Sequence, residues 1–124
     1  MAVSLFTVVP IQGTYDIAYA RNTLRVKIAQ QRWSMFVNAH ATIALTALGE
    51  LILLTERLQP VMVNIETLAE PNRYGVKLSS RFDVPDERPS NWEEKQRNLQ
   101  QAATEFDLVE IEDGVEITVY IWVE

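Results

Sequence analysis

The chain has 124 residues, 48% of them hydrophobic, and its 17 acidic against 11 basic side chains give a formal net charge of −6. At this length one core is possible, burying roughly two thirds of the unfolded surface, and the apolar content argues against intrinsic disorder. The negative charge disfavours nucleic-acid and membrane-surface partners, while the lack of cysteine excludes disulfides, thiolate metal sites and a thiol nucleophile and agrees with a reducing cytoplasm.

No repeat, low-complexity tract or long linker interrupts the sequence, so residues 1–124 read as a single domain. The first ten residues are apolar but lack a basic segment and a small-residue cleavage site, so no signal peptide is expected. Val3 to Val9 reads as a strand, on β-branched content as much as on alternation, ended by Pro10 and Gly13. From Thr14, a plausible N-cap with Asp16 in the first turn, Ile17, Ala20, Leu24 and Ile28 recur at helical spacing to about Gln31, with Arg21, Arg25 and Lys27 off the stripe.

A second helix is predicted from Met35 to Arg57, capped by Ser34, with Phe36, Ile43, Ala47, Leu51, Leu54 and Leu58 on one face. Leu45, Leu48 and Ile52 make its other sides apolar, which calls for cover on more than one side, by a sheet and a neighbouring helix or by a second subunit. Its most apolar run, Ile43 to Leu54, contains Glu50 and falls short of the roughly 20 residues of a bilayer span.

Past Pro60, Val61, Val63 and Ile65 alternate as a strand. A turn at Glu70 to Arg73 leads to a second strand, with Val76, Leu78, Ser80 and Phe82 on one face. Asp83 to Asn91 holds two prolines and four charges, hence an exposed loop, and Ser90 to Glu93 fits a capping box opening a third helix from about Asn91 to Thr104. Phe106 to Glu112 and Val115 to Val123 are strands joined by Asp113-Gly114, the signal for a type I′ turn. The order β-α-α-β-β-α-β-β implies an α+β two-layer sandwich: a mixed, mostly antiparallel sheet with three helices on one face.

Three segments together resemble the anti-sigma regulatory serine/threonine kinases. Asp16-Ile17-Ala18-Tyr19-Ala20-Arg21, with Arg25 and Ala29, is similar to that family's first helix, and Thr46-Ala47-Leu48-Gly49-Glu50-Leu51 to its second. Glu105-Phe106-Asp107, Gly114 and Trp122 follow its closing hairpin. The likeness runs from about residue 3 to residue 123 and implies the Bergerat-type ATP-binding fold of the GHKL superfamily, shared with histidine kinases and gyrase.

In such kinases the second helix carries Glu-x-x-x-Asn, the Glu as base and the Asn on Mg²⁺. Here Glu50 holds the base position as a vestige, and Leu54 stands where the Asn belongs and cannot ligate a hard cation. The family's Asp-x-Gly-x-Gly is replaced by Asp83-Val84-Pro85, and no glycine lies between Gly75 and Gly114 to build a phosphate cradle. The resemblance therefore implies a degenerate member with no catalytic residue, no bound ATP, Mg²⁺ or other metal, and no other cofactor.

The leading expectation is a cytoplasmic, non-catalytic regulatory module of bacterial partner switching or stress signalling, docking a sigma factor or an anti-sigma factor antagonist. Alternatives are an active kinase holding Mg-ATP through displaced groups, Asp83 with Glu50, and a structural subunit of a larger assembly. Candidate partner residues are Arg21 and Arg25, four apart on one helix face, and Tyr120 and Trp122 on the polar face of the acidic C-terminal hairpin. Each has a plainer reading: a solvated helix face for the arginines, a structural role for Trp122, a polar helix residue for Glu50. His40, the only histidine, reads as an ordinary helix residue. Homodimerisation through the helical layer is a further possibility.

Overall fold

A computed structural model describes residues 6–31, 33–56 and 58–123. Along the chain lie β1 (Phe6–Ile11), α1 (Thr14–Gln31), α2 (Met35–Leu53), β2 (Val61–Glu70), β3 (Arg73–Asp83), α3 (Trp92–Ala102), β4 (Glu105–Ile111) and β5 (Gly114–Val123). The predicted start of β1 at residues 3–5 lies outside the described residues, and α2 ends at Leu53, short of the predicted Arg57, because the chain turns at residues 54–55. The protein is α+β, with three helices and a five-stranded sheet in two layers.

The strands lie in the order β1-β2-β3-β5-β4, and every neighbouring pair is antiparallel, so the expectation of a mixed sheet is corrected. Connectivity supplies the reason. With two helices between β1 and β2 the chain reverses three times, an odd number, so β2 returns antiparallel. A single helix, α3, joins β3 to β4, which run the same way, but β5 inserts between them and is antiparallel to both.

Alternation along the strands decides what is buried. Val63 and Ile65 on β2, Val76, Leu78, Ser80 and Phe82 on β3, and Val115, Ile117, Val119 and Ile121 on β5 point toward the helices and into the core. Ser80 is accommodated there because its hydroxyl donates to the Met62 carbonyl at 2.8 Å. From the helices come Ile17, Ala20, Leu24 and Ile28 of α1, and Val37, Ala41, Ala44, Leu45, Leu48, Leu51 and Ile52 of α2. The face predicted for α2 is corrected in part: Phe36 and Ile43 are more than half exposed, because the stripe through Val37, Leu45 and Leu48 meets the sheet instead. α2 is also apolar and long enough, at 19 residues, to cross a membrane, but half of that stretch is buried inside the fold.

Several local expectations are replaced by other devices. Thr14 is the first residue of α1, not its cap; the Asp16 carboxylate accepts the amides of Gln12 and Gly13 at 2.7 and 3.0 Å and so closes that end. Ser34 stands at the N-cap of α2 without a side-chain bond. The capping box at Ser90 does not form, since Asn91 takes the cap position of α3 in the left-handed region (φ 72°) and makes no side-chain cap bond. At the β4–β5 hairpin the register pairs Ile111 with Gly114, which moves the turn to Glu112-Asp113. Positive φ occurs at Asp113 (66°) and not at Gly114, so the type I′ turn, which needs it at both central residues, is not made. Gly114 is required for another reason: a Cβ there would strike the Phe82 carbonyl on β3.

Candidate functional site

α2 places Glu50 in the outer part of the helical layer, where the next helix reaches it. Lys95 of α3 lies with Nζ 3.2 Å from the Glu50 Oε2, and both side chains are about a third to a half exposed (32% and 44%). A half-solvated carboxylate held by an ammonium group is a structural ion pair, worth about 1 kcal/mol or less. Leu54, directly after the last turn of α2, is partly buried against the core, where it offers only methyl groups.

Asp83 ends β3 opposite Gly114. It follows Phe82, whose ring is buried on the helix side, so alternation assigns Asp83 to the opposite face of the sheet. Glu50 and Asp83 are thus separated by the sheet and do not converge on one site.

Between β3 and α3, the segment 84–91 is fastened down. The Val84 amide donates to the Asp113 carbonyl at 2.9 Å, and Val84 itself is 4% exposed. The Arg88 guanidinium donates to both Glu110 oxygens, at 2.8 and 2.6 Å, and to the Pro85 carbonyl at 2.9 Å. Beneath it Trp92 is 4% exposed, its ring 6.4 Å from that of Phe82 and its Nε1 donating to Gln96 at 2.9 Å. This segment is tied to the β4–β5 hairpin and anchored at its end by a buried indole.

Arg21 and Glu50 border one groove of about 310 Å³ between α1 and α2, floored by Ile43 and Ala47 with Thr42 and Thr46 beside them. Both threonine hydroxyls are turned back onto their own helix, donating to the Asn38 and Thr42 carbonyls at 2.7 and 2.9 Å. Arg25 is exposed one turn on from Arg21. Around them α1 also exposes Tyr15 (91%), Tyr19 (63%) and Val26 (50%), so its outward side is apolar as well as cationic.

Tyr120 and Trp122 lie on the face turned away from the helices, stacked 5.7 Å apart and nearly parallel (7°). Arg73 covers Trp122 at 3.9 Å, and Lys77 sits 5.9 Å from the Tyr120 ring. Arg73 also bonds Glu70 at 2.7 Å and Glu105 at 3.1 Å. Its pKa is raised, first by the Glu70 hydrogen bond, so its charge is fixed. Gly75 lies opposite Trp122 in the β3–β5 register. The two rings already carry the chain's own cations, and this cluster stands apart from the Arg21–Arg25 face on the other side of the sheet.

Sequence reasoning missed Lys95, Arg88 and Gln96. The partners Glu50 and Glu110 are 45 and 22 residues away from Lys95 and Arg88 respectively, and no local spacing signals such a pair. Among the described residues no group of three or more His, Asp or Glu side chains could hold a metal ion. The chain matches no protein-family model and no curated protein.

Proposed function

We propose that this chain is a non-catalytic regulatory module that binds another protein and retains the scaffold, but not the nucleotide chemistry, of an anti-sigma serine/threonine kinase. The observation that carries the reading is the Glu50–Lys95 pair next to Leu54: at the place the resemblance assigns to base and magnesium, one carboxylate is engaged and its neighbour is a hydrocarbon. Phosphoryl transfer depends on positioning and on neutralising phosphate charge. A fastened segment 84–91 without glycine amides supports the same reading. The alternative kinase, with Asp83 assisting Glu50, is disfavoured by their placement on opposite sides of the sheet.

The partner surface in this proposal is the outward side of α1 and its groove with α2. Tyrosine and arginine are enriched where protein interfaces concentrate their binding energy, and Arg21, Arg25 and Lys27 face a single acid, Asp16, within α1. An acidic partner segment fits, as a sigma factor or an antagonist would supply in a bacterial partner-switching circuit in the cytoplasm.

Isothermal titration with Mg-ATP and Mg-ADP tests the loss of nucleotide binding. The expected result is no saturable heat below about 1 mM ligand, for the wild type and for Leu54→Asn alike, because one restored ligand rebuilds neither the lid nor the adenine site. Micromolar, saturable binding by the wild type would refute the proposal. Capture of partners from a bacterial lysate, identified by mass, tests the surface: Arg21→Glu with Arg25→Glu should abolish the captured band, whereas Tyr120→Ala should not.

A further inference from the structure

The face of the sheet turned away from the helices carries a cleft of about 460 Å³, inside the roughly 300–1,000 Å³ range of small-ligand sites. Five charged side chains line it. Three of them are bound to one another, Arg73 holding Glu70 at 2.7 Å and Glu105 at 3.1 Å. The other two, Glu66 and Lys77, are Cα partners on β2 and β3, so their side chains rise next to each other on one face, with Cβ atoms roughly 5 Å apart in such a pair. Among the described residues neither takes part in a hydrogen bond or an ion pair. The Lys77 ammonium instead lies 5.9 Å from the ring of Tyr120, its neighbour on β5. A free carboxylate and a free ammonium thus stand side by side in the cleft, and Leu68, Ala69 and Trp122 give it an apolar wall.

From this arrangement we propose that the cleft binds a free α-amino acid with an apolar side chain. The ligand's carboxylate meets Lys77, its ammonium meets Glu66, and its side chain lies along Leu68 and the Trp122 ring. Charge selects the class. An anion without an ammonium group is repelled by Glu66, and a cation without a carboxylate is repelled by Lys77. A zwitterion that carries both charges on one carbon satisfies the two together. The apolar wall sets the preference within the class, since a ligand without a side chain leaves that surface in water. Glu66 and Lys77 are both partly exposed, so the charged contacts are screened and binding is weak, with a Kd of about 1 mM. The sheet separates this cleft from the groove between α1 and α2, and either outcome of the ATP titration leaves the proposal standing.

Titration of the isotope-labelled full chain with L-phenylalanine, followed by NMR, tests it. The Trp122 indole N–H makes no hydrogen bond among the described residues, and its resonance should move and saturate with a Kd of about 1 mM, while that of Trp92 on the helical side stays. Glycine, N-acetyl-L-phenylalanine and L-phenylalaninamide lack in turn the side chain, the ammonium and the carboxylate. Each should bind at least about fivefold more weakly, a comparison that depends on no variant folding. Glu66→Gln and Lys77→Gln should each raise the Kd for L-phenylalanine by about as much, and Arg97→Gln, on the exposed side of α3, should leave it unchanged. The proposal is overturned by the lack of a saturable shift up to about 10 mM, by equal binding of the analogues, by indifference to either cleft variant, or by shifts confined to the helical side.

Discussion

Two glycines show how the same residue type answers to different neighbours. A Cβ on Gly75 would enter the Ile121 carbonyl, part of the neighbouring strand's backbone. On Gly49 it would meet Ile17 Cγ1 at 2.8 Å and Cδ1 at 3.0 Å, the end of a side chain that can turn. Gly75→Ala is therefore expected to cost about 3 kcal/mol, at the upper end of overpacking. Gly49→Ala should fall within about 1 kcal/mol of wild type, since the gain in helix propensity offsets the crowding. Urea unfolding of both variants checks the contrast, and equal losses would contradict it. Asp16→Ala should cost about 1 kcal/mol, because it leaves the Gln12 and Gly13 amides without their acceptor. The sequence placed Asp16 in the first turn of α1, but its bonds to the amides of Gln12 and Gly13 appear only in the folded chain.

Among the elements, strands were easier to read than ends and turns. Val115, Ile117, Val119 and Ile121 alternate without exception and are all fully buried. For α2 the pattern is ambiguous, because a helix apolar on most sides does not say which stripe meets the sheet; position against α1 and α3 selects Val37, Leu45 and Leu48 and leaves Ile43 outside. The segment 84–91 read as an exposed loop, whereas Val84 is buried and Arg88 bound. Its anchor is Trp92 rather than the ion pair. Trp92→Ala is expected to cost about 3–5 kcal/mol through the cavity left beside Phe82, while Glu110→Gln, which weakens a pair whose Glu110 is 68% exposed, should cost about 1 kcal/mol or less. Thermal unfolding ranks the two, and the reverse order would show that charge, not packing, holds the segment.

On the scale of the whole molecule, charge is unevenly divided: α1 is cationic, and Glu105, Asp107, Glu110, Glu112, Asp113 and Glu116 crowd the closing hairpin. Raising the salt concentration from about 0.05 to about 0.5 M should therefore raise Tm by a few degrees, the screened repulsion outweighing the loss of exposed pairs such as Arg88–Glu110. A falling Tm would mean that the pairs dominate. By itself the sequence determined the element order, the α+β class and the core faces of the strands, because 2.0- and 3.6-residue periodicities are local consequences of backbone geometry. In the proposed reading, Leu54 and Pro85 stand where a nucleotide site would need an oxygen ligand and a glycine. Only the tertiary structure decided that the sheet is wholly antiparallel, that Glu50 pairs with Lys95, and that Asp83 lies across the sheet from it. Those facts depend on which distant segments become neighbours, and adjacency in space is set by the packing of the whole core rather than by the spacing of residues along the chain.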